Sequence, residues 1–266
     1  MADWDPELYN RFRRYRAEPF EHQLSRVTLS DSEAILDLGC GSGENTIELA
    51  RRAPRSRVVG LDSSPAMLDA AANLTAKLPP EIRERLTFVL ADIRTYDPDT
   101  EYSFVISNAA LQWTRDHRTV LAACFHVLRP GGKLAVQMPA NYIETAQRTI
   151  LAIANEEPWR AALDGVNVPS RIVAEPEEYR AMLTELGFDE VDCYYHTFHH
   201  PMSSPADIVE WSRATALRPF LNALPQERHA EYVEALTRRL EREYGTAGPL
   251  TFNFRRIFLW ARRPNR

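Results

Sequence analysis

The sequence predicts a doubly wound α/β fold with a mostly parallel sheet of seven strands. In the first half of the chain, short apolar runs alternate with longer segments of helical periodicity, which is typical of a parallel sheet with helices on both faces. Three glycines on alternate positions, Gly39, Gly41 and Gly43, directly follow the first apolar run. Because glycine reaches positive φ at little cost, we expect a tight turn here between a strand and a helix.

The other elements of the first half follow in order. Apolar runs predict strands at 34–36, 57–62, 86–90, 102–108 and 133–138. Helices are predicted at 44–52, at 66–72 after Ser64-Pro65, and at 119–127. Asp116-His117 before the last of these is expected to be a helix cap and a surface residue, and alternatively a base for an alcohol or amine acceptor. The turn Pro130-Gly131-Gly132 precedes the fifth strand.

The second half of the chain departs from simple alternation. Helices are predicted at 143–155, 175–186, 205–217 and 225–244, with a sixth strand at 191–198 and a last one at 250–261. Residues 203–248 form an insertion too long for a connection between neighbouring strands, so we expect a helical substrate lid. The predicted organisation is an N-terminal helical segment of residues 1–30 covering the site, a cofactor-binding domain of 31–202 and 249–266, and the lid at 203–248.

The spacing around the glycines distinguishes between two kinds of ligand. A dinucleotide fingerprint needs a small residue at position 44 or 46, where this chain has Glu44 and Thr46. An acid at the helix start would also repel a pyrophosphate, so a nicotinamide dehydrogenase is disfavoured. Asp37 and Glu44 instead suit a cationic ligand, and Asp62 ends the second strand where an acid would bind a ribose diol. An ordinary βα loop remains the alternative for the glycines alone.

Taken together, these motifs and the turn at Leu128-Arg129-Pro130-Gly131-Gly132 resemble the class I S-adenosylmethionine-dependent methyltransferases, which have a Rossmann-like fold. The resemblance covers residues 34–138. It implies S-adenosyl-L-methionine as the cofactor, with the first motif at 37–43, the ribose-binding acid at Asp62 and an adenine-contacting pair at Asp92-Ile93. The full set of expected cofactor-binding residues is Asp37, Gly39, Gly41, Gly43, Asp62, Ser63, Met67, Asp92, Ile93 and Asn108.

Further motifs run from end to end of the chain, among them Trp4-Asp5-Pro6, Asn108-Ala109-Ala110-Leu111-Gln112-Trp113 and Ala214-Thr215-Ala216-Leu217-Arg218-Pro219. They resemble those methyltransferases of this family that esterify a carboxylate of trans-aconitate. The resemblance implies O-methylation of a small tricarboxylic acid, which gives a monomethyl ester and S-adenosylhomocysteine. A carboxyl group with a pKa near ~4 is already ionised at neutral pH, so we expect positioning and desolvation and no catalytic base.

Arginine forks suit the remaining carboxylates of such a substrate. Arg218 is the first candidate, because Pro219 should give it an extended backbone and end the lid helix there. Arg256 is the second, since strand alternation sends Arg255 and Arg256 to opposite faces. Each arginine has the alternative of a solvent-exposed or structural role. Further residues expected to close the pocket, some of them equally suited to the core, are Tyr9, Arg16, Trp113 and Tyr142.

Composition restricts the remaining function classes. The 266 residues carry a formal net charge of −5, which argues against a nucleic-acid substrate, and no apolar run is long enough to span a membrane. Three cysteines give no even disulfide framework, so a cytoplasmic enzyme is expected, as a monomer or weak homo-oligomer. His196 and His200 would lie too far apart along a strand to chelate one metal ion. A carrier-bound carboxylate of the malonyl-carrier type and a non-enzymatic cofactor-sensing module remain alternatives.

Overall fold

The computed structural model describes residues 12–29, 34–166, 173–213, 215–246 and 248–265. Seven strands form one sheet in the order β3-β2-β1-β4-β5-β7-β6. β1 pairs in parallel with β2 and β4, β2 with β3, and β4 with β5, as the alternation of strands and helices predicts. The strands are β1 Ala34–Leu38, β2 Arg57–Asp62, β3 Leu86–Leu90, β4 Tyr102–Asn108, β5 Leu128–Pro139, β6 Asp189–Met202 and β7 Leu250–Arg262.

Helices separate the strands. Their bounds are α1 Arg13–Leu24, α2 Glu44–Arg52, α3 Pro65–Thr75, α4 Pro80–Arg83, α5 His117–Val127, α6 Thr145–Ala154, α7 Arg160–Leu163, α8 Pro176–Glu185, α9 Pro205–Arg213, α10 Arg218–Ala223 and α11 His229–Tyr244. Short 3-10 turns lie at Leu111–Trp113 and Gln226–Arg228. Among the described helices, none combines the length and the apolar character that spanning a bilayer requires.

The fifth strand begins earlier than predicted. Tyr102 lies opposite Leu128 whereas Phe104 lies opposite Lys133, so three extra residues are accommodated in β5 at this point. Gly131 takes a φ of 75° there, and its N–H donates to the Arg263 carbonyl while the Arg263 N–H donates to Gly132. The predicted turn at 130–132 is therefore a bulge within a strand that pairs with β7.

The helix predicted at 205–217 is also different in the structure. α9 ends at Arg213, and the N–H groups of Thr215 and Leu217 both donate to the Ser212 carbonyl, which turns the chain. A new helix, α10, then begins at Arg218. Proline in a first helical turn lacks only an N–H that would have no partner there, so Pro219 starts a helix instead of ending one.

The described chain groups into two compact units. The larger unit comprises Ala17–Met138, Ala174–Tyr195 and Ile257–Arg266, and its core includes the fully buried Ile35, Leu36 and Ile106. The smaller unit comprises the described residues within Pro139–Val173 and His196–Arg256 together with residues 12–16. Its core is an aromatic and aliphatic cluster that includes Trp159, Trp211, Phe220, Tyr232 and Phe252.

Arg85 fixes the end of α2 in the larger unit. Its Nη1 donates to the carbonyls of Ala53 and Ser56 at 2.9 and 3.0 Å, and its Nη2 donates to that of Ala50 at 2.8 Å. Carbonyl groups at a helix C-terminus lack partners within the helix, so the guanidinium supplies them. Because α2 begins directly after the glycine turn, Arg85 holds the far end of the element that this turn starts.

Replacing Arg85 should therefore destabilise the larger unit. We expect Arg85→Met to lower the free energy of unfolding by about 2 to 3 kcal/mol, because several charge-assisted hydrogen bonds to partly buried carbonyls are lost. Urea denaturation measures the change. Arg83→Met at an exposed site in the same segment is the control and should change the free energy by less than about 0.5 kcal/mol. Equal effects of the two substitutions would contradict the role of Arg85.

Candidate active site

The glycine turn after β1 is held against the neighbouring strand by its own backbone. The N–H groups of Gly39 and Cys40 both donate to the Leu61 carbonyl of β2, at 2.7 and 2.9 Å. Gly39 has a φ of 73°, and a Cβ at this position would lie 2.2 Å from the Ala110 Cβ. Any side chain here would therefore be strained and would displace Ala110, so glycine is required at position 39.

The other two glycines differ in their surroundings. Gly43 has a φ of 80° and precedes α2, and a Cβ there would lie 2.8 Å from Phe88. Gly41 also has a positive φ of 55°, but a Cβ on it would meet nothing within 4 Å. The open side of the turn is thus at Gly41, where a ligand can approach the main chain.

Asp37 is a buried carboxylate at the end of β1. Its Oδ2 accepts a hydrogen bond from the Thr46 hydroxyl at 2.7 Å, and the residue is 2% exposed. Burial raises the pKa of Asp37 to about 6, and the negative charge of Asp62 adds to this shift, while the Thr46 hydrogen bond opposes it. Asp37 consequently changes its charge close to neutral pH.

Asp62 at the end of β2 bonds to two backbone segments at once. Its Oδ2 accepts from the Gly41 N–H and its Oδ1 accepts from the Ser64 N–H, each at 2.9 Å. Ser63 next to it is exposed, and Met67, whose N–H is capped by the Ser64 hydroxyl, is 40% exposed. Asp62 therefore fixes the glycine turn and the start of α3, and each carboxylate oxygen keeps further lone pairs for a ligand.

The Asp92-Ile93 pair lies after β3. Both carboxylate oxygens of Asp92 accept from the Arg94 guanidinium, with Nε at 3.0 Å from each, and Asp92 Oδ1 also accepts from the Arg94 N–H. These hydrogen bonds lower the pKa of Asp92, which is half-buried, to about 2. Ile93 is half-buried and lines an internal cavity of about 10 Å³ together with Leu36 and Cys124.

The segment after β4 contains the predicted residue Asn108 and also Gln112, a buried polar residue that the sequence analysis does not assign to the site. Asn108 is half-buried, and its Oδ1 has no hydrogen-bond partner among the described residues. Gln112 is buried, its Nε2 donates to the Ala109 carbonyl at 2.6 Å, and its Oε1 likewise has no described partner. Trp113 beside it is 61% exposed, which excludes the core position given as its alternative. The signal for Gln112 was its place in the Asn108–Trp113 motif.

The surface position predicted for His117 is wrong. Asp116 caps α5 as predicted, accepting from the Thr119 N–H at 3.0 Å. His117, however, is only 6% exposed, because its ring lies at hydrogen-bond distance from two buried groups, the Tyr179 hydroxyl and the Leu111 carbonyl. Burial lowers its pKa, so the imidazole is neutral at neutral pH.

Two of the arginines predicted to bind substrate lie in aromatic surroundings in the smaller unit. Arg256 is 7% exposed, its Cζ lies 4.6 Å from the centre of the Phe254 ring, and burial lowers its pKa to about 9. Arg16 is half-buried, its Nη2 donates to the Trp211 carbonyl at 3.3 Å, and its Cζ lies 5.3 Å from the Trp211 ring.

His200 adds a neutral group to these surroundings. It is fully buried, and its ring centre lies 4.8 Å from that of Tyr15 and 5.1 Å from that of Trp211. Burial, and then the charges of Arg256 and His199, lower the pKa of His200 to about 4. Among the described residues, no group of three His, Cys, Asp or Glu side chains is placed to hold a metal ion.

The remaining predicted substrate residues also lie in the smaller unit where they are described. Arg218 is exposed at the start of α10, not in the extended backbone predicted for it. Its guanidinium makes no ion pair or hydrogen bond with the part of the chain that the structure describes. Tyr142 is half-buried, with the Arg255 Cζ 5.7 Å from its ring centre. Tyr9 lies outside the described residues.

A glycine turn with acids at the ends of β1 and β2, in a sheet of this strand order, defines a Rossmann-like methyltransferase. Residues 35–132 match the methyltransferase domain family. The fold resembles that of Haemonchus contortus phosphoethanolamine N-methyltransferase 2, solved in complex with S-adenosyl-L-methionine, with a TM-score of 0.60 at 17% identity. The match covers 93% of this chain and 52% of that one.

Relatives in sequence define the family more narrowly. The chain is 42% identical to a trans-aconitate 2-methyltransferase from Methylobacterium radiotolerans, and the match covers 99% of each chain. It is 37% identical to a trans-aconitate 2-methyltransferase from Variovorax paradoxus, again over 99% of each. The chain belongs to the trans-aconitate 2-methyltransferase family.

The raised pKa of Asp37 predicts a pH-dependent affinity for the cationic donor. With a pKa of about 6, Asp37 is mostly protonated at pH 5 and mostly ionised at pH 7. Because only the ionised carboxylate attracts a cation, we expect the Kd of S-adenosyl-L-methionine to fall about tenfold from pH 5 to pH 7. Isothermal titration calorimetry across this range measures it.

Two substitutions make this measurement specific. Asp37→Asn should bind the donor more weakly and with little dependence on pH. Asp92→Asn is the control, since a carboxyl with a pKa of about 2 stays ionised throughout the range and its removal should leave the pH slope intact. A slope that survives in Asp37→Asn would show that another group titrates.

Proposed function

We propose that this protein transfers a methyl group from S-adenosyl-L-methionine to a carboxylate oxygen of trans-aconitate, which gives a monomethyl ester and S-adenosylhomocysteine. The observation that carries this proposal is the 42% identity to a relative named trans-aconitate 2-methyltransferase across 99% of both chains. A small-molecule methyl acceptor also fits the composition, because the net charge of −5 disfavours nucleic acids.

The larger unit offers the groups that the donor requires. S-adenosyl-L-methionine supplies, when bound, an electrophilic methyl group on a positively charged sulfur. Asp37 and Asp62 give the turn the negative charge that suits such a cation, and Gly41 leaves room beside the main chain. Asn108 has a buried amide oxygen available to accept from a ligand N–H group. We assign donor binding to the set Asp37, Gly39, Gly41, Gly43, Asp62, Ser63, Met67, Asp92, Ile93 and Asn108.

The smaller unit offers groups for the acceptor. Arg256 and Arg16 hold guanidinium groups among aromatic rings, where a carboxylate bond is stronger than in water. Arg218 adds an exposed guanidinium without a described partner. We assign these arginines to the carboxylates of trans-aconitate that do not react, and we assign Tyr142 and Tyr9, together with Trp113 of the larger unit, to its carbon frame. The helical insertion at 203–248 is then the substrate lid.

No general base enters this mechanism. The reacting carboxyl group is ionised at neutral pH, since its ordinary pKa is about 4. The chain's contribution is to bind the acceptor, to remove water from the attacking oxygen and to hold the reacting groups in alignment. Such alignment is worth on the order of 7 to 11 kcal/mol in well-oriented systems. The protein is expected to work in the cytoplasm, as a monomer or a weak homo-oligomer.

A methyl-transfer assay tests the proposal directly. Purified protein is incubated with methyl-labelled S-adenosyl-L-methionine and trans-aconitate, and the product is separated before and after mild alkali. We expect label in a small acid that alkali releases as methanol, because a methyl ester is base-labile. Citrate and a dicarboxylate are the comparison acceptors. Donor binding without any labelled ester would remove trans-aconitate as the substrate and leave the methyltransferase assignment in place.

The role of Arg218 gives a second test. Arg218→Ala should raise the KM for trans-aconitate by about tenfold or more, since a charge-assisted bond is worth roughly 1.5 to 3 kcal/mol, while the donor Kd stays within about twofold. Steady-state kinetics and donor titration measure the two effects. Arg213→Ala is the control, because Arg213 is exposed nearby in sequence and pairs with Glu210 at 2.7 Å. A parallel loss of donor affinity in Arg218→Ala would point to a structural role.

A further inference from the structure

In the 3-10 turn Leu111–Trp113, the first two residues are buried and the third, an aromatic residue, is exposed. Leu111 is fully buried and Gln112 is 6% exposed, whereas Trp113 is 61% exposed. The turn has local hydrogen bonds of its own. The Trp113 N–H donates to the Ala110 carbonyl at 3.1 Å, and Gln112 Nε2 donates to the Ala109 carbonyl at 2.6 Å. The Thr114 N–H and hydroxyl donate to the Leu111 carbonyl at 2.9 and 3.0 Å. A 3-10 turn of three residues is short and has poor hydrogen-bond geometry, so contacts from outside the turn add to the rigidity with which Trp113 is presented.

The external contacts come from a directional chain of hydrogen bonds. The Ala174 N–H points to the Tyr179 Oη at 3.3 Å, Tyr179 Oη lies 2.5 Å from His117 Nδ1, and His117 Nε2 lies 2.9 Å from the Leu111 carbonyl oxygen. A carbonyl oxygen only accepts, so Nε2 must carry the proton and donate to Leu111. Neutral Nδ1 then accepts from the Tyr179 hydroxyl, whose oxygen accepts from Ala174. Every group in the chain has a compatible role with the imidazole in one tautomer.

This series of hydrogen bonds leaves His117 unsuited to proton transfer with a substrate. Both ring nitrogens are engaged within the protein, and the residue is 6% exposed. Its neighbour Asp116 is engaged as well, accepting from the Thr119 N–H and the Thr119 hydroxyl. The alternative that Asp116-His117 acts as a base is therefore disfavoured. His117 instead donates a hydrogen bond to the Leu111 carbonyl.

We propose that His117 and Tyr179 are positioning residues that fix the Leu111–Trp113 turn, and through it Trp113, for binding of the carboxylic acid acceptor. This inference rests on the proposed function, since it assigns Trp113 to the acceptor. A side chain already held in its binding orientation loses little conformational freedom when the acceptor binds. Loosening the turn should thus weaken acceptor use and leave the donor site unchanged.

A double-mutant cycle tests whether Tyr179 acts through Trp113. We expect Tyr179→Phe to lower kcat/KM for trans-aconitate by about fivefold and Trp113→Phe by about tenfold, while the donor Kd stays within about twofold. The double variant should be no worse than Trp113→Phe alone, because residues that act through one another are not additive. Independent, multiplied losses in the double variant would overturn the proposal.

Three further variants separate positioning from general stability. Tyr102→Phe removes another buried tyrosine hydroxyl of the larger unit, bonded to Tyr96 at 3.1 Å at the opposite end of β4 from Asn108. It should leave kcat/KM within about twofold of the unsubstituted protein, as expected of a bond remote from the turn. His117→Gln keeps an N–H donor for the Leu111 carbonyl and should retain more activity than His117→Ala. Equal activity of these two His117 variants would contradict the proposal.

A fluorescence measurement that does not depend on catalysis distinguishes this proposal from the proposed function. The fluorescence of Trp113, one of five tryptophans, is obtained as the difference between each protein and its Trp113→Phe version. Tyr179→Phe should lower the anisotropy of this contribution, and Tyr102→Phe should not. If trans-aconitate is not methylated but the anisotropy falls as expected, the substrate assignment fails and the positioning stands. Unchanged anisotropy in Tyr179→Phe overturns the positioning whatever the substrate.

Discussion

The carboxylate of Asp62 is the group on which the candidate donor site depends. The parallel register places the end of β2 beside the end of β1, with Leu38 opposite Leu61, so the loops that follow the two strands start side by side. Asp62 joins them by accepting one N–H from Gly41 and one from Ser64. The open side of the glycine turn therefore has a defined shape before any ligand binds, and the same acid remains available to hydroxyl groups of the ligand.

Each of the two units buries an ionisable side chain, and the two side chains are of opposite charge type. The larger unit buries the acid Asp37, and burial moves its pKa up to about 6; the smaller unit buries the base Arg256, and burial moves its pKa down to about 9. Both pKa shifts favour the neutral form of the side chain. The size of each shift reflects the free-energy cost of moving that charge out of water. A ligand of opposite charge would restore part of this free energy, which is the reason we propose a cation at Asp37 and a carboxylate at Arg256.

Local signals account for the parts of the fold that could be predicted. The strands at 57–62, 86–90 and 102–108 agree with the structure because each is a short, largely apolar run between polar residues, and the helix at 44–52 agrees because it begins directly after Gly43. The bulge in β5 depends on its pairing with the distant end of the chain near Arg263, whereas the break after Arg213 is made by local hydrogen bonds to the Ser212 carbonyl that the apolar pattern does not indicate. His117 was placed on the surface because its partner Tyr179 lies 62 positions away, and nothing near His117 indicates it.

A polycarboxylic acceptor resolves a conflict in the chemistry of esterification. A carboxylate must be held by charge to leave water, yet a strong bond to the attacking oxygen would make it a poorer nucleophile. In a tricarboxylic acid the two tasks fall on different groups, because arginines can bind some carboxylates while another reacts. In the proposed assignment, Arg16, Arg218 and Arg256 of the smaller unit perform the first task. Selectivity for acids with several carboxylates then follows from the requirement for a weakly bonded nucleophile.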